Sequence, residues 1–200
     1  MLKRGFMVTV LALLGVLLWL LLVWQPDPGH DMTVPLAEAP QGGDFTLNSK
    51  QGPVNLADFR GRVVLLYFGY TWCPDICPTN LSLFGSIMDS LDKDEQARVQ
   101  PLFISVDPGR DSLDRLETYV NYFHPSLIGL TGTDAELTQV THRYGAAYRI
   151  VRQAQETDYP VDHSADSYLI DTRGQLVRSY PHGTQAETLI AAIRELLRQP

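Results

Sequence analysis

Cysteine is scarce in this chain: its 200 residues carry two, Cys73 and Cys77, with three residues between them. Two thiolates fall short of the four ligands that a closed zinc site prefers. Basic residues are also in deficit, with 16 Lys and Arg against 23 Asp and Glu. That balance argues against nucleic acid as a partner, because phosphate binding wants a basic face. An acidic surface fits an electrostatically docked partner, but it equally fits plain solubility. No internal repeat is visible, which excludes a solenoid or propeller. Charge of either sign is missing from Gly5 to Trp24, GFMVTVLALLGVLLWLLLVW.

That uncharged run is the first positive signal. Twenty apolar residues at a helical rise of ~1.5 Å span ~30 Å, the hydrocarbon thickness of a bilayer. Lys3 and Arg4 precede it, and QPDPGHD, with no positive charge, follows it. The positive-inside rule then puts the N-terminus in the cytoplasm and the rest of the chain across the membrane. The competing reading is a cleaved signal peptide, whose apolar core runs ~7–15 residues and is shorter than this one. No cysteine near the segment is available for lipid attachment. Residues 25–43 carry prolines and glycines without apolar periodicity and read as an extended tether. Without Lys3 and Arg4 the rest of the chain has 14 basic against 23 acidic residues, net −9. The expected layout is a membrane anchor over residues 1–24, a tether over 25–43 and one folded domain over 44–200.

Within the domain, Asp44–Leu47 and Val54–Leu56 read as a small hairpin turning at Lys50–Pro53. Val63 to Tyr70 is apolar almost throughout, as expected of a central strand covered on both faces. Pro74 and Pro78 push the residues before them, Cys73 and Cys77, out of the α region. The sequence therefore predicts a tight loop over Cys73–Cys77, with a helix starting near Pro78. Leu81, Phe84, Ile87, Met88 and Leu91 continue it at helical spacing. Val99–Val106 is a second buried strand. A helix capped by Asp111 or Ser112 then runs to Phe123, and another runs from Thr133 or Asp134 to Tyr144. Short strands are predicted at Leu127–Leu130 and Ala147–Val151. Ser167–Asp171 and Gln175–Tyr180 form a hairpin, and a last helix starts at Thr184. Strands separated by helices, closed by a hairpin and a helix, predict a mixed central sheet with helices on both faces.

A disulfide between residues four apart closes a very short loop and stabilises little. The pair also sits where a strand meets a helix, and helix N-terminal N–H groups favour thiolate. Two functional classes follow: dithiol redox chemistry and metal binding. Two thiolates and one imidazole suit copper(I), a soft ion that accepts low coordination. Among the five histidines, His30 lies in the tether, His124 at a helix stop, His142 on a polar helix face and His182 in a turn. His163 lies in a polar loop, Asp162–Asp166, that feeds a strand, and alone it is a weak signal.

The segments FGYTWCPDICPTNL, FISVDPGRDS, LIGLTGT and YPVDHSADSYLIDTRGQL resemble, in order and separation, the SCO/SenC family of membrane-anchored copper proteins. The likeness runs from about Asp44 to Leu197. It implies a thioredoxin-like fold, a mixed central sheet with flanking helices preceded by a single N-terminal transmembrane helix. It implies copper bound by Cys73, Cys77 and His163, and a role as a metallochaperone, not an enzyme, in assembling the binuclear copper centre of cytochrome c oxidase. Implied partners are the copper-bearing oxidase subunit, an upstream copper donor and a thiol reductant that keeps the dithiol open. The implied location is a bacterial inner membrane with the domain in the periplasm, or the equivalent intermembrane space.

Copper(II) would need an added oxygen ligand, water or a carboxylate, with Asp75, Asp162 and Asp166 as outer candidates. Thioredoxin-like reductases space their cysteines by two residues and place a proline before the strand facing the thiols. Here the spacing is three, and Ser164, Ala165 and Asp166 precede the strand. Thiol–disulfide exchange by Cys73 and Cys77, keeping the oxidase copper-site cysteines reduced, is the alternative activity.

Overall fold

A computed structural model of the chain describes residues 13–19, 40–150 and 159–199. The chain divides into two units, Met1–Ala37 and Glu38–Pro200. In the first, residues 13–19 are helical. No described helix is long and apolar enough to cross a membrane. The anchor expected over residues 5–24 and most of the tether expected over 25–43 lie outside the described residues.

In the second unit, residues 40–43, read as the end of the tether, pack on the domain. The Gly42 N–H donates to the Arg143 carbonyl at 2.9 Å, and the Tyr144 hydroxyl donates to the Gly43 carbonyl at 3.0 Å. The strands are β1 Thr46–Ser49, β2 Gly52–Asn55, β3 Val63–Gly69, β4 Val99–Ser105, β5 Ile128–Leu130, β6 Tyr148–Ile150, β7 Val161–His163, β8 Ser167–Ile170 and β9 Leu176–Tyr180. The helices are α1 Ile76–Ser90, α2 Lys93–Ala97, α3 Leu113–Phe123, α4 Asp134–Tyr144 and α5 Ala186–Arg198, with a 3-10 turn at Leu56–Phe59.

Five strands form the main sheet in the order β5-β4-β3-β8-β9. β3 runs parallel to β4 and antiparallel to β8, so the sheet is mixed. β1–β2 and β6–β7 are separate antiparallel pairs. Every residue of β3 and β4 is buried, which is why both read as continuous apolar runs. Successive side chains of β3 point to opposite faces. Tyr67 meets Phe84 of α1 (6.3 Å between ring centroids), and Phe68 meets Tyr144 of α4 (6.0 Å). The expected helices on both faces are therefore present. Burying side chains of this size contributes ~1.5–3 kcal/mol each.

Several expectations need correction. Helix α1 begins at Ile76, so Cys77 and Pro78 are inside its first turn. The first N–H groups of a helix have no intrahelical partner, so the missing N–H of Pro78 costs nothing there. The packing of Cys77 at 0% exposure overrides its local bias against the α region. Helix α2 was not expected. Five residues carry little periodicity, but an Asp92/Glu95 capping box holds it: Glu95 N–H donates to Asp92 Oδ1 (2.8 Å) and Asp92 N–H to Glu95 Oε2 (3.0 Å). His163 ends strand β7 rather than lying in a polar loop. Its partner across the pair is Tyr148, a non-local contact that local polarity does not reveal. The last helix begins at Ala186, two residues after the expected Thr184.

Candidate metal centre

Strand β3 ends in Gly69 because no larger residue fits. A Cβ there would lie 2.6 Å from Cys77 Sγ and 2.9 Å from the Phe103 ring. The chain then turns, with the Cys73 N–H donating to the Tyr70 carbonyl at 3.3 Å. This turn is bolted to the neighbouring strand through Asp111, whose carboxylate is buried. Asp111 Oδ2 accepts from the Thr71 N–H (2.8 Å) and the Ser105 hydroxyl (2.6 Å), and Oδ1 accepts from the Thr71 hydroxyl (2.6 Å). Arg115 Nε donates to the same Thr71 hydroxyl oxygen. Ser112, not Asp111, caps α3: its side chain accepts from the Arg115 N–H.

Helix α1 has no side-chain cap from its N-cap residue Asp75. Instead the Cys77 N–H donates to Cys73 Sγ at 3.4 Å, so a sulfur takes the place of a capping oxygen. This geometry favours Cys73 as thiolate. Its pKa is lowered to about 3, chiefly by the hydrogen bond from the Cys77 thiol, then by His163 and by backbone N–H groups, against the opposing effect of burial. Cys77 moves the other way, pushed far up by its hydrogen bond to Cys73 and by burial. The two shifts describe one proton shared by the pair and held on Cys77. Burial above all raises the Tyr67 phenol, which stays a donor and faces Cys77 Sγ at 3.8 Å.

His163 reaches the sulfurs from β7. Its Nε2 lies 3.4 Å from Cys77 Sγ. Its Nδ1 lies 2.9 Å from the Ser164 carbonyl, which only accepts, so Nδ1 carries a proton and Nε2 is the nitrogen that faces the sulfurs. Ser164 is itself clasped to Ala147. The Ala147 N–H donates to Ser164 Oγ and the Ser164 N–H to the Ala147 carbonyl, both at 2.8 Å. Tyr67 and Tyr70 meet the imidazole edge to face, at 6.1 and 5.6 Å.

One ligand atom from each of Cys73, Cys77 and His163 lies within 4.8 Å of the others. No carboxylate joins this group among the described residues. Asp162 is paired with Arg149 at 2.7 Å, Asp75 is exposed and Asp166 is half-buried. Of the other histidines, His142 is exposed, His124 binds Ser126 and His182 faces Asn80. The sequence reading missed Ser164, Asn80, Tyr67 and Asp111. Asn80 had a visible signal: it is a polar residue one turn from Cys77 on an otherwise apolar stripe.

The sequence model of the SCO1/SenC family matches residues 34–198. The chain belongs to the SCO1/SenC family. The mitochondrial SCO2 homologue of Bos taurus is 40% identical over 181 residues, covering 88% of this chain and 68% of its own length. Its Homo sapiens counterpart is 40% identical over 154 residues, 76% of this chain and 58% of the relative. The chain thus spans little more than half of the human relative. Among solved structures, Arabidopsis thaliana ScoI with copper bound matches with a TM-score of 0.72 at 36% identity, over 80% of this chain and 99% of that one. Yeast Sco1 with copper bound matches with a TM-score of 0.71 at 34% identity, over 80% and 89%. Apo Sco1 from Thermus thermophilus matches with a TM-score of 0.73 at 36% identity, over 80% and 94%. The SCO1/SenC chain described here therefore has the thioredoxin-like α/β architecture of these Sco structures.

Proposed function

We propose that this SCO1/SenC protein carries copper on Cys73, Cys77 and His163 and delivers it to the binuclear copper site of cytochrome c oxidase. One observation carries the reading: two sulfurs and an imidazole nitrogen, 86 residues apart between Cys77 and His163, converge within 4.8 Å. Copper in the solved Arabidopsis and yeast relatives supports the choice of ion. The donor set fits it. The lowered pKa of Cys73 favours its thiolate, His163 turns Nε2 toward the sulfurs, and the Cys77 proton must leave on binding. Three donors suit copper(I), and zinc would want a fourth. For copper(II), Asp75 and Asp166 are the nearest candidates in sequence for an added oxygen ligand, since Asp162 is engaged by Arg149.

Cys77 is inaccessible and Cys73 is half-buried, so an incoming ligand approaches from the Cys73 side. Delivery is then ligand exchange: thiolates of the oxidase copper-bearing subunit replace these donors one at a time. A Cys73–Cys77 disulfide cannot take up copper, so the reading includes a thiol reductant and an upstream copper donor as partners. It also includes a membrane anchor over residues 5–24 and a tether that present the domain in the periplasm or the intermembrane space.

A second activity is favoured by the asymmetry of the thiols. Cys73 thiolate attacks a substrate disulfide and releases one substrate thiolate. Cys77, once deprotonated, attacks the Cys73 sulfur and releases the other. Two electrons pass to the substrate, which leaves as a dithiol, and the Cys73–Cys77 disulfide awaits an external dithiol.

Anaerobic copper(I) titration of the reduced full chain in detergent tests the first reading. Wild type is expected to bind one equivalent tightly, and His163→Ala to bind much more weakly. Equal binding in both would remove His163 from the site. Rapid reduction of a model disulfide without copper would promote the second activity.

A further inference from the structure

Helix α1 carries a second residue aimed at the His163 loop. Asn80 stands one turn beyond Cys77 and is 2% exposed. Its Nδ2 donates to the Ala165 carbonyl at 3.2 Å, two residues past His163. Its Oδ1 lies 3.1 Å from Nδ1 of His182, in the connection between β9 and α5. The Ala165 carbonyl can only accept, so the amide nitrogen must face it and the oxygen must face His182, which donates from Nδ1. The rest of the buried stripe of α1 is largely apolar: Cys77, Leu81, Phe84 and Met88. An apolar residue at position 80 would fill the same place without the desolvation cost of an amide.

We propose that Asn80 is a positioning residue for the metal site, a strut that ties the loop carrying His163 to the helix carrying Cys77. His163 is already held on its other side, where Ser164 is clasped to Ala147. The clasp fixes the loop to β6, which pairs with β7 and not with the main sheet. Among the described residues, the Asn80 bond is what joins the same loop to α1 through a side-chain amide. Without it the Cys77–His163 approach depends on the β6–β7 pair and on the entry of the loop into β8, which joins the main sheet at Ser167. The inference rests on the copper-site reading, and it makes a claim about the metal-free protein as well.

The test is a double-mutant cycle on the full chain in detergent, using copper(I) and a chromophoric competing chelator under anaerobic conditions. Asn80→Asp keeps an acceptor for His182 and turns the donor to Ala165 into a second acceptor. It is expected to weaken copper about tenfold when His163 is present, and to change nothing when His163 is Ala. An equal loss in both backgrounds, or no loss in either, overturns the proposal. Hydrogen exchange of the metal-free protein is read in parallel. Amides 161–166 should exchange faster in Asn80→Asp than in wild type, with β3 unchanged; unchanged exchange at 161–166 overturns the strut. If wild type takes up no copper, the copper-site reading fails, and the exchange result alone decides the strut. Should Asn80→Asp fail to fold, His182→Ala, which frees the amide oxygen, is read the same way. About a threefold loss that depends on His163 is expected there, and no loss overturns the proposal.

Discussion

Cys77 sits on α1 against β3, in the middle of a five-stranded sheet, whereas His163 closes β7, a three-residue strand paired with β6 outside that sheet. The sulfur side is set by burial: β3 is buried throughout, Gly69 leaves room for the sulfur, and Asp111 fastens the turn at Thr71. The imidazole side is set by a handful of hydrogen bonds at Ser164 and Asn80. One half of the site is thus part of the core, and the other half is appended to it. Fold stability and ligand geometry should separate across this divide. Changes on the sulfur side should cost more stability, and changes on the imidazole side should cost mainly binding.

Asp111→Ala should show the largest loss of stability. It removes the acceptor for two hydroxyls and a backbone N–H in a buried place, and each donor left unsatisfied costs ~1–3 kcal/mol. Denaturant unfolding is expected to fall by about 3 kcal/mol or more. A change below about 0.5 kcal/mol would show that the turn does not depend on the carboxylate. Gly69→Ala comes next. Its methyl would meet Cys77 Sγ and the Phe103 ring at 2.6 and 2.9 Å, neither at the end of a flexible side chain. Overpacking of this kind costs ~1–3 kcal/mol, and the displaced sulfur should weaken copper as well. Against these, His163→Ala should cost about 1–2 kcal/mol, since it loses two edge-to-face contacts and the Ser164 hydrogen bond at a half-buried position. A larger loss there would erase the divide.

The smallest effect concerns the thiols themselves. The folded pKa of Cys73, about 3, lies below its unfolded value. Its thiolate therefore adds stability that is complete above the unfolded pKa and fades as pH falls toward the folded one. In the reduced, metal-free protein, alkylation of Cys73 by iodoacetamide should stay nearly level between about pH 8 and about pH 5. An unperturbed thiol slows about tenfold per pH unit in that range. Such slowing at Cys73 would show that the proton is not held on Cys77.

The same divide marks how much the chain disclosed in advance. β3, β4 and the apolar stripe of α1 were legible because burial on two faces leaves runs and periodicities in local sequence. The spacing of Cys73 and Cys77 was legible because both lie on one continuous strand-to-helix segment. His163 was not legible from its own surroundings and needed a family resemblance to single it out. The reason is physical: its place comes from pairing with Tyr148 and from Ser164 bonding Ala147, contacts with no local pattern. Asp111 was read as a cap for the same reason. Its partner Thr71 lies forty residues away, and the nearby Ser112 caps the helix instead. The start of α1 was misplaced because the tertiary packing of Cys77 outweighs the local restriction imposed by Pro78.

Copper K-edge X-ray absorption on the reduced full chain carrying one equivalent of copper(I) reports the donor atoms directly. The account predicts a shell of two sulfurs and one nitrogen in wild type, and loss of the nitrogen in His163→Ala. A shell of sulfur alone in wild type, or one that His163→Ala leaves unchanged, would contradict it.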